Sequence, residues 1–146
     1  MNIREMAEAD YDQVYQLWLS CQGMGLNNLD DSREGILQFL KRNPQTCLVA
    51  LENHQIIGAI LVGSDGRRAY IYHTAVHPDY RRKGIAKQLV ETVLKALDEL
   101  NIHKIALVVF KDNRLGNQFW EKLGFSTRED LVYRNQALTE MIRIDT

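Results

Sequence analysis

The sequence predicts a mixed α/β (α+β) fold: a mixed, mostly antiparallel sheet flanked by helices on both faces, with elements in the order βααβββαβαββ. Three observations carry that expectation. Three strand-like runs, Thr46 to Leu51, Ile56 to Val62 and Ala69 to Val76, are separated only by the turn signals Asn53-His54 and Ser64-Asp65-Gly66, the pattern of an antiparallel meander. Gly84 to Leu100 then carries Ile85, Leu89, Val93, Ala96, Leu97 and Leu100 on one helical stripe, and a continuous apolar run, Ile105 to Phe110, follows it. Strands that alternate with helices around a meander need cover on both faces of the sheet. The chain has 146 residues, close to the roughly 150 of an average domain, and shows no repeat, linker or biased segment, so one domain over residues 1–146 is expected.

Each element has its own signal. Asn2 to Met6 reads as a short strand. Tyr11 to Cys21 carries Val14, Tyr15, Leu17, Trp18 and Cys21 at helical spacing, with Asp10 placed to cap it. After a long polar loop, Gly23 to Asp31, either Asp31 or Ser32 caps a second helix that presents Ile36, Leu37 and Leu40 and runs toward Asn43-Pro44; Gly35 in place of Glu leaves the capping box incomplete. The meander and the amphipathic helix come next. Ile105 to Phe110 fits a strand buried on both faces, Leu115 to Leu123 a short helix stopped by Gly124, and Leu131 to Arg134 and Leu138 to Ile144 two closing strands.

Composition removes several function classes. Lys and Arg total 18 against 19 for Asp and Glu, so a net charge of −1 supplies no global field for nucleic acid or an anionic membrane, and neither partner is expected. Any anion site must be local. Cys21 and Cys47 are the only cysteines and show neither CxxC nor Cys/His ligand spacing, which argues against a disulfide scaffold and against a metal site. Met1 to Glu5 is mixed polar, and no stretch approaches the roughly 18 apolar residues of a membrane span; a cytoplasmic protein is expected.

The most informative stretch is Val76-His77-Pro78-Asp79-Tyr80-Arg81-Arg82-Lys83-Gly84-Ile85-Ala86. A strand ends, three basic residues follow, and a helix opens at a glycine. A helix N-terminus offers free N–H groups and the positive end of a dipole, and Gly84 and Ala86 allow a phosphate close to the backbone. A solvated basic turn whose glycine only starts a helix is the alternative on these residues alone. The stretch resembles the acyl-CoA signature of the GNAT superfamily of acetyl-CoA-dependent N-acetyltransferases. That superfamily's second signature, an Asn followed by a short helix ending in Gly-Phe, is matched by Asn113, Phe119, Trp120, Gly124 and Phe125, and the order of elements is similar along the whole chain.

The resemblance implies a GNAT-like fold, acetyl-CoA as co-substrate, an amine acceptor shaped by the two N-terminal helices, and a set of roles. The N–H of Val76 would face the thioester carbonyl as oxyanion donor. Arg81 and the N–H groups of Arg82, Lys83, Gly84, Ile85 and Ala86 would meet the pyrophosphate, with Lys87 at the rim and Asn113 on the pantetheine arm. Seven residues after the Asn, where most members carry a tyrosine, stands Trp120. An indole N–H cannot serve as a general acid, so Trp120 either lines the acetyl pocket or packs in the core. Thiolate departure tolerates that loss, because a thiol pKa of roughly 8.5 makes it a fair leaving group. The positions of the superfamily's common carboxylate bases hold Tyr70 and Val108, which leaves Tyr72 and His73 as candidates for the acceptor's proton; strand alternation points them to opposite faces, so one at most reaches the site.

Other residues carry weaker signals. Asp30, Asp31 and Glu34 either recognise a cationic amine or serve capping and solvated faces, and Arg67 and Arg68 either meet an anionic acceptor or blunt a hairpin tip. Cys21 sits on an apolar helical face and no GxSxG occurs, so direct transfer in a ternary complex is expected rather than covalent catalysis. A non-catalytic acyl-CoA-binding module is the competing reading, motivated by the missing tyrosine and carboxylates. The sequence leaves a homodimer open.

Overall fold

The computed structural model describes residues 1–145. β1 (Asn2–Glu5), β2 (Cys47–Glu52), β3 (Gln55–Ser64), β4 (Ala69–Val76) and β5 (Ile105–Ala106) form one sheet in chain order. The first four strands pair antiparallel, and β5 runs parallel to β4. Parallel neighbours need a crossover, and α3 (Ile85–Glu99) supplies it. The sheet is therefore mixed and mostly antiparallel, as the sequence predicts.

Two apolar layers explain the composition of the strands. Along β2, Cys47 and Val49 face the layer under α1 (Tyr11–Leu19) and α2 (Arg33–Arg42), while Leu48 and Ala50 face the layer under α3. The middle strand, β3, is apolar almost throughout because both of its faces are covered. Gly58 on β3 leaves room for α3: a Cβ there would lie 3.2 Å from both Ile85 and Leu89. On the other face, Trp18 of α1 is completely buried. Near the middle of β4 the register passes from Leu61↔His73 to Val62↔Ile71, so Tyr72 is an inserted residue, a β-bulge.

Several local expectations need correction. Asp10 precedes α1 without capping it: its carboxylate turns back to the Ala7 N–H (2.7 Å) and to the guanidinium of Arg4 (2.7 and 3.0 Å). Ser32, not Asp31, caps α2, accepting from the Gly35 N–H at 3.0 Å. Helix α1 stops at Leu19, so Cys21 lies in the turn beyond it rather than on its apolar face.

The run after Ile105 is a strand for two residues only, and Val108 and Phe110 are exposed rather than buried on both faces. The cause is a divergence: beyond Ala69↔Ile105 and Tyr70↔Ala106 the two chains separate. Leu131 to Arg134 and Leu138 to Ile144 form no strands, and Leu138 is 95% exposed. So short a β5 gives them little edge to extend. Residues 142–144 bond to the loop after α1 instead, through Asn28 N–H to Ile142 C=O (3.0 Å), Ile144 N–H to Leu26 C=O (3.1 Å) and an Asn27–Arg143 bridge.

Candidate active site

The site begins where β4 and β5 part. On its β3 side, β4 continues as a ladder to the bond from His77 N–H to Ile57 C=O at 2.8 Å. Hydrogen-bonded and non-bonded pairs alternate along an antiparallel ladder, so Thr74 and Val76, out of phase with His77, turn their N–H groups away from β3. They face the gap left by β5. The Val76 carbonyl is held there by the Arg81 Nε at 3.3 Å and the Cys21 thiol at 3.5 Å. Arg81 also reaches the Cys21 sulfur, at 3.6 Å. Cys21 thus stands beside the residue that the resemblance makes an oxyanion donor, a placement hidden from the sequence because the turn after α1 carries it there.

A basic turn and the start of α3 close one end of the gap. Gly84 precedes the helix with φ +77°, a left-handed conformation that suits glycine, and its missing Cβ would meet nothing within 4 Å. Arg82 is also left-handed, at φ +62°. The first helical bond is Gln88 N–H to Gly84 C=O at 3.0 Å, which leaves the N–H groups of Ile85, Ala86 and Lys87 without helical acceptors. Ile85 sends its side chain into the core under α3. Lys83 lies over the Tyr80 ring (5.2 Å), and Lys87 has only a long contact to Glu91 (3.9 Å). Free donors, a dipole end and basic side chains converge as an anion site requires.

The second signature occupies α4 (Arg114–Lys122). Asn113 caps it, accepting from the Gly116 N–H at 3.0 Å, which engages its Oδ1. Trp120 packs edge-on between Phe119 (4.9 Å) and Phe125 (5.2 Å), against the α3-side layer.

Tyr72 and His73 do not take opposite faces. The bulge turns both toward α1 and α2: Tyr72 meets Phe39 of α2 edge-on at 5.5 Å, and His73 meets Trp18 of α1 at 5.0 Å. Tyr72 stays 57% exposed beside Tyr70 (4.7 Å), whose hydroxyl is held above the ordinary phenol range by burial first and then by Tyr133 and Tyr72. His73 is covered, and its Nε2 lies 2.7 Å from Asp31 Oδ1. Sequence reasoning does not find that pair, since one residue is in a loop and the other 42 positions away on a strand. Burial pushes the Cys47 thiol up to about 12, which removes it as a nucleophile.

A model of the acetyltransferase (GNAT) family matches residues 11–125. The chain belongs to the GNAT acetyltransferase family. An acetyltransferase of Yersinia pestis (strain Pestoides F) is 31% identical over 140 residues, covering 96% of this chain and 98% of that protein. Among solved structures, Ard1 from Thermoplasma volcanium is similar with a TM-score of 0.73, 25% identity and coverage of 86% of this chain and 82% of the other. The PaiA N-acetyltransferase from Thermoplasma acidophilum, solved in complex with coenzyme A, aligns with a TM-score of 0.75, 21% identity and 88% and 91% coverage. This GNAT protein is accordingly an enzyme, an acetyl-CoA-dependent N-acetyltransferase.

Proposed function

We propose that this enzyme transfers the acetyl group of acetyl-CoA to a primary amine of a small molecule or peptide, by direct attack in a ternary complex. One juxtaposition supports the reading: the edge of β4 at Val76, beyond its pairing with β5, is tied by Arg81 to the basic turn from which α3 starts with free N–H groups. The coenzyme A complex of the similar Thermoplasma acidophilum enzyme supports the choice of cofactor.

The residues fit acetyl-CoA. Ile85, Ala86 and Lys87 N–H, with the left-handed Arg82 and Gly84 before them, would hold the pyrophosphate; Arg82 and Lys83 would add charge, and Asn113 retains its Nδ2 for the pantetheine arm. The Val76 N–H would stabilise the oxyanion as the amine nitrogen forms its bond to the carbonyl carbon and the C–S bond breaks. Arg81 and Cys21 hold the Val76 carbonyl, in the next peptide unit, and so steady the strand end beside that N–H. The amine proton passes to solvent. An amine of pKa about 10.4 is neutral only about once in 10³ molecules at neutral pH, so rates should climb as pH rises toward it. The acceptor would approach over the exposed Tyr72, between the loop after α1 and β4.

A screen of small and peptide amines against acetyl-CoA, read by release of the CoA thiol, tests the reading. Amine-dependent release with an acetylated product in equal amount is expected. Thiol release that ignores every amine would defeat it.

A further inference from the structure

The loop between α1 and α2 has two anchors that its polar sequence does not announce. At its end, Asp31 is buried, with a side chain 5% exposed, and uses both carboxylate oxygens: Oδ1 meets His73 Nε2 at 2.7 Å, and Oδ2 accepts the Asn27 N–H at 2.9 Å. The Asp31 carbonyl accepts the Tyr11 hydroxyl at 2.7 Å. At the loop's start, Asp145 accepts the N–H groups of Gly25 (3.0 Å) and Leu26 (2.7 Å). Opposite a carboxylate, Nε2 of His73 carries the hydrogen and donates it. Its other nitrogen, Nδ1, is buried without a protein partner among the described residues. Neither nitrogen of His73 faces outward, so the imidazole is poorly placed to take a proton from an acceptor and well placed to hold the loop.

We infer that Asp31 is a positioning residue of the acceptor side: through His73 it fixes the loop to β4 three residues before Val76, and Asp145 fixes the loop's other end. The inference rests on the proposed approach of the acceptor over this loop. The bulge at Tyr72 sets that ring on the same face as His73, so the anchored residue and the exposed ring over which the acceptor would approach are neighbours. Held at Asp31 and at Asp145, beside the bonds from residues 142–144, the loop keeps one geometry relative to the Val76 N–H. Misplacement by about 1 Å is enough to cost a reaction about 10²-fold.

Asp31→Asn preserves shape but turns an NH₂ toward a donor. It should raise the acceptor KM by about tenfold or more while the Kd for acetyl-CoA stays within about twofold. Asp145→Asn should do the same from the other end. His73→Ala should lose as much as Asp31→Asn, and His73→Gln, whose amide can still donate to Asp31, should recover most of that loss with the pH profile of the parent. Amide hydrogen exchange of residues 25–31 should quicken in Asp31→Asn and Asp145→Asn without change in β2 and β3. Parallel losses of acceptor and acetyl-CoA binding would reduce Asp31 to general support and overturn the inference, as would unchanged exchange in the loop. A His73→Gln variant that stays as inactive as His73→Ala and loses a pH inflection would make His73 the base and overturn it too. If no amine is turned over by the parent enzyme, the proposed function fails on its own, and the exchange measurement still decides whether the two carboxylates anchor the loop.

Discussion

Gly84 carries the sharpest consequence at the scale of single residues. Its left-handed backbone and its empty surroundings leave the approach to the α3 N–H groups open. Gly84→Glu imposes a strained φ and sets a carboxylate where a pyrophosphate would lie, so acetyl-CoA affinity should fall below detection by calorimetry in a variant whose thermal unfolding remains cooperative. An unchanged Kd would remove the anion site from α3. Trp120 makes a second case. It packs between Phe119 and Phe125, and Trp120→Tyr keeps an aromatic ring while offering a phenol where most relatives of the superfamily carry one. If thiolate departure limits turnover, kcat should rise, by at most the 10² to 10⁴ or so that general acid catalysis supplies; a fall in both Trp120→Tyr and Trp120→Phe would assign the residue to packing. What is legible in the sequence is local: the basic turn and glycine that open α3, and Ser32 as one of two cap candidates for α2; the left-handed φ of Gly84 and the cap that Asn113 makes on α4 are read from the structure. The Asp31–His73 contact, the place of Cys21 and the shared face of Tyr72 and His73 are not legible there, because each depends on a bulge, a loop or a turn that brings distant segments together.

Among the elements, the antiparallel meander follows from apolar runs bounded by turn residues and α3 from a period-3.6 stripe, and their limits in the structure lie close to those patterns. The run from Ile105 to Phe110 misled for a physical reason: an apolar hexamer reports a preference for extended backbone, whereas strand identity also needs a partner, and β4 withdraws after Tyr70. The apolar segments at 131–134 and 138–144 failed in the same way. At the junction of β1 and α1, the Asp10 carboxyl is held below the ordinary carboxylate range, chiefly by its bonds to Arg4 and with help from the Ala7 N–H, against the opposing effect of burial. A depressed native pKa means that the unfolded chain binds more protons on acidification. The stabilisation is complete above the ordinary Asp pKa of about 3.9 and disappears as pH falls through the lower native value. Asp10→Asn should therefore cost about 1–2 kcal/mol at neutral pH and flatten the acid limb of a stability–pH curve, measured by urea unfolding between about pH 6 and 2. A curve parallel to that of the parent would show that the pair contributes nothing.

For the molecule as a whole, binding that favours the folded state must raise its stability by mass action. Acetyl-CoA at about 100 times its Kd should add about 2.7 kcal/mol and raise Tm by several degrees, while Gly84→Glu should show no such shift. Equal shifts in both proteins would point to binding elsewhere. The sheet's topology also sets an order of assembly. Strands β2, β3 and β4 are neighbours in sequence and close into hairpins through short turns, so the floor of the acceptor side can zip up from local contacts. The parallel strand β5 has to wait for the whole of α3 to be made and docked. On a ribosome, where the N-terminal part emerges first, the meander should pair before α3 and β5 dock, and the loop between α1 and α2 should gain its anchor only when Asp145 has emerged. The gap between β4 and β5 thus opens only after the meander is made, and the seam between residues 142–145 and the loop after α1 closes behind it.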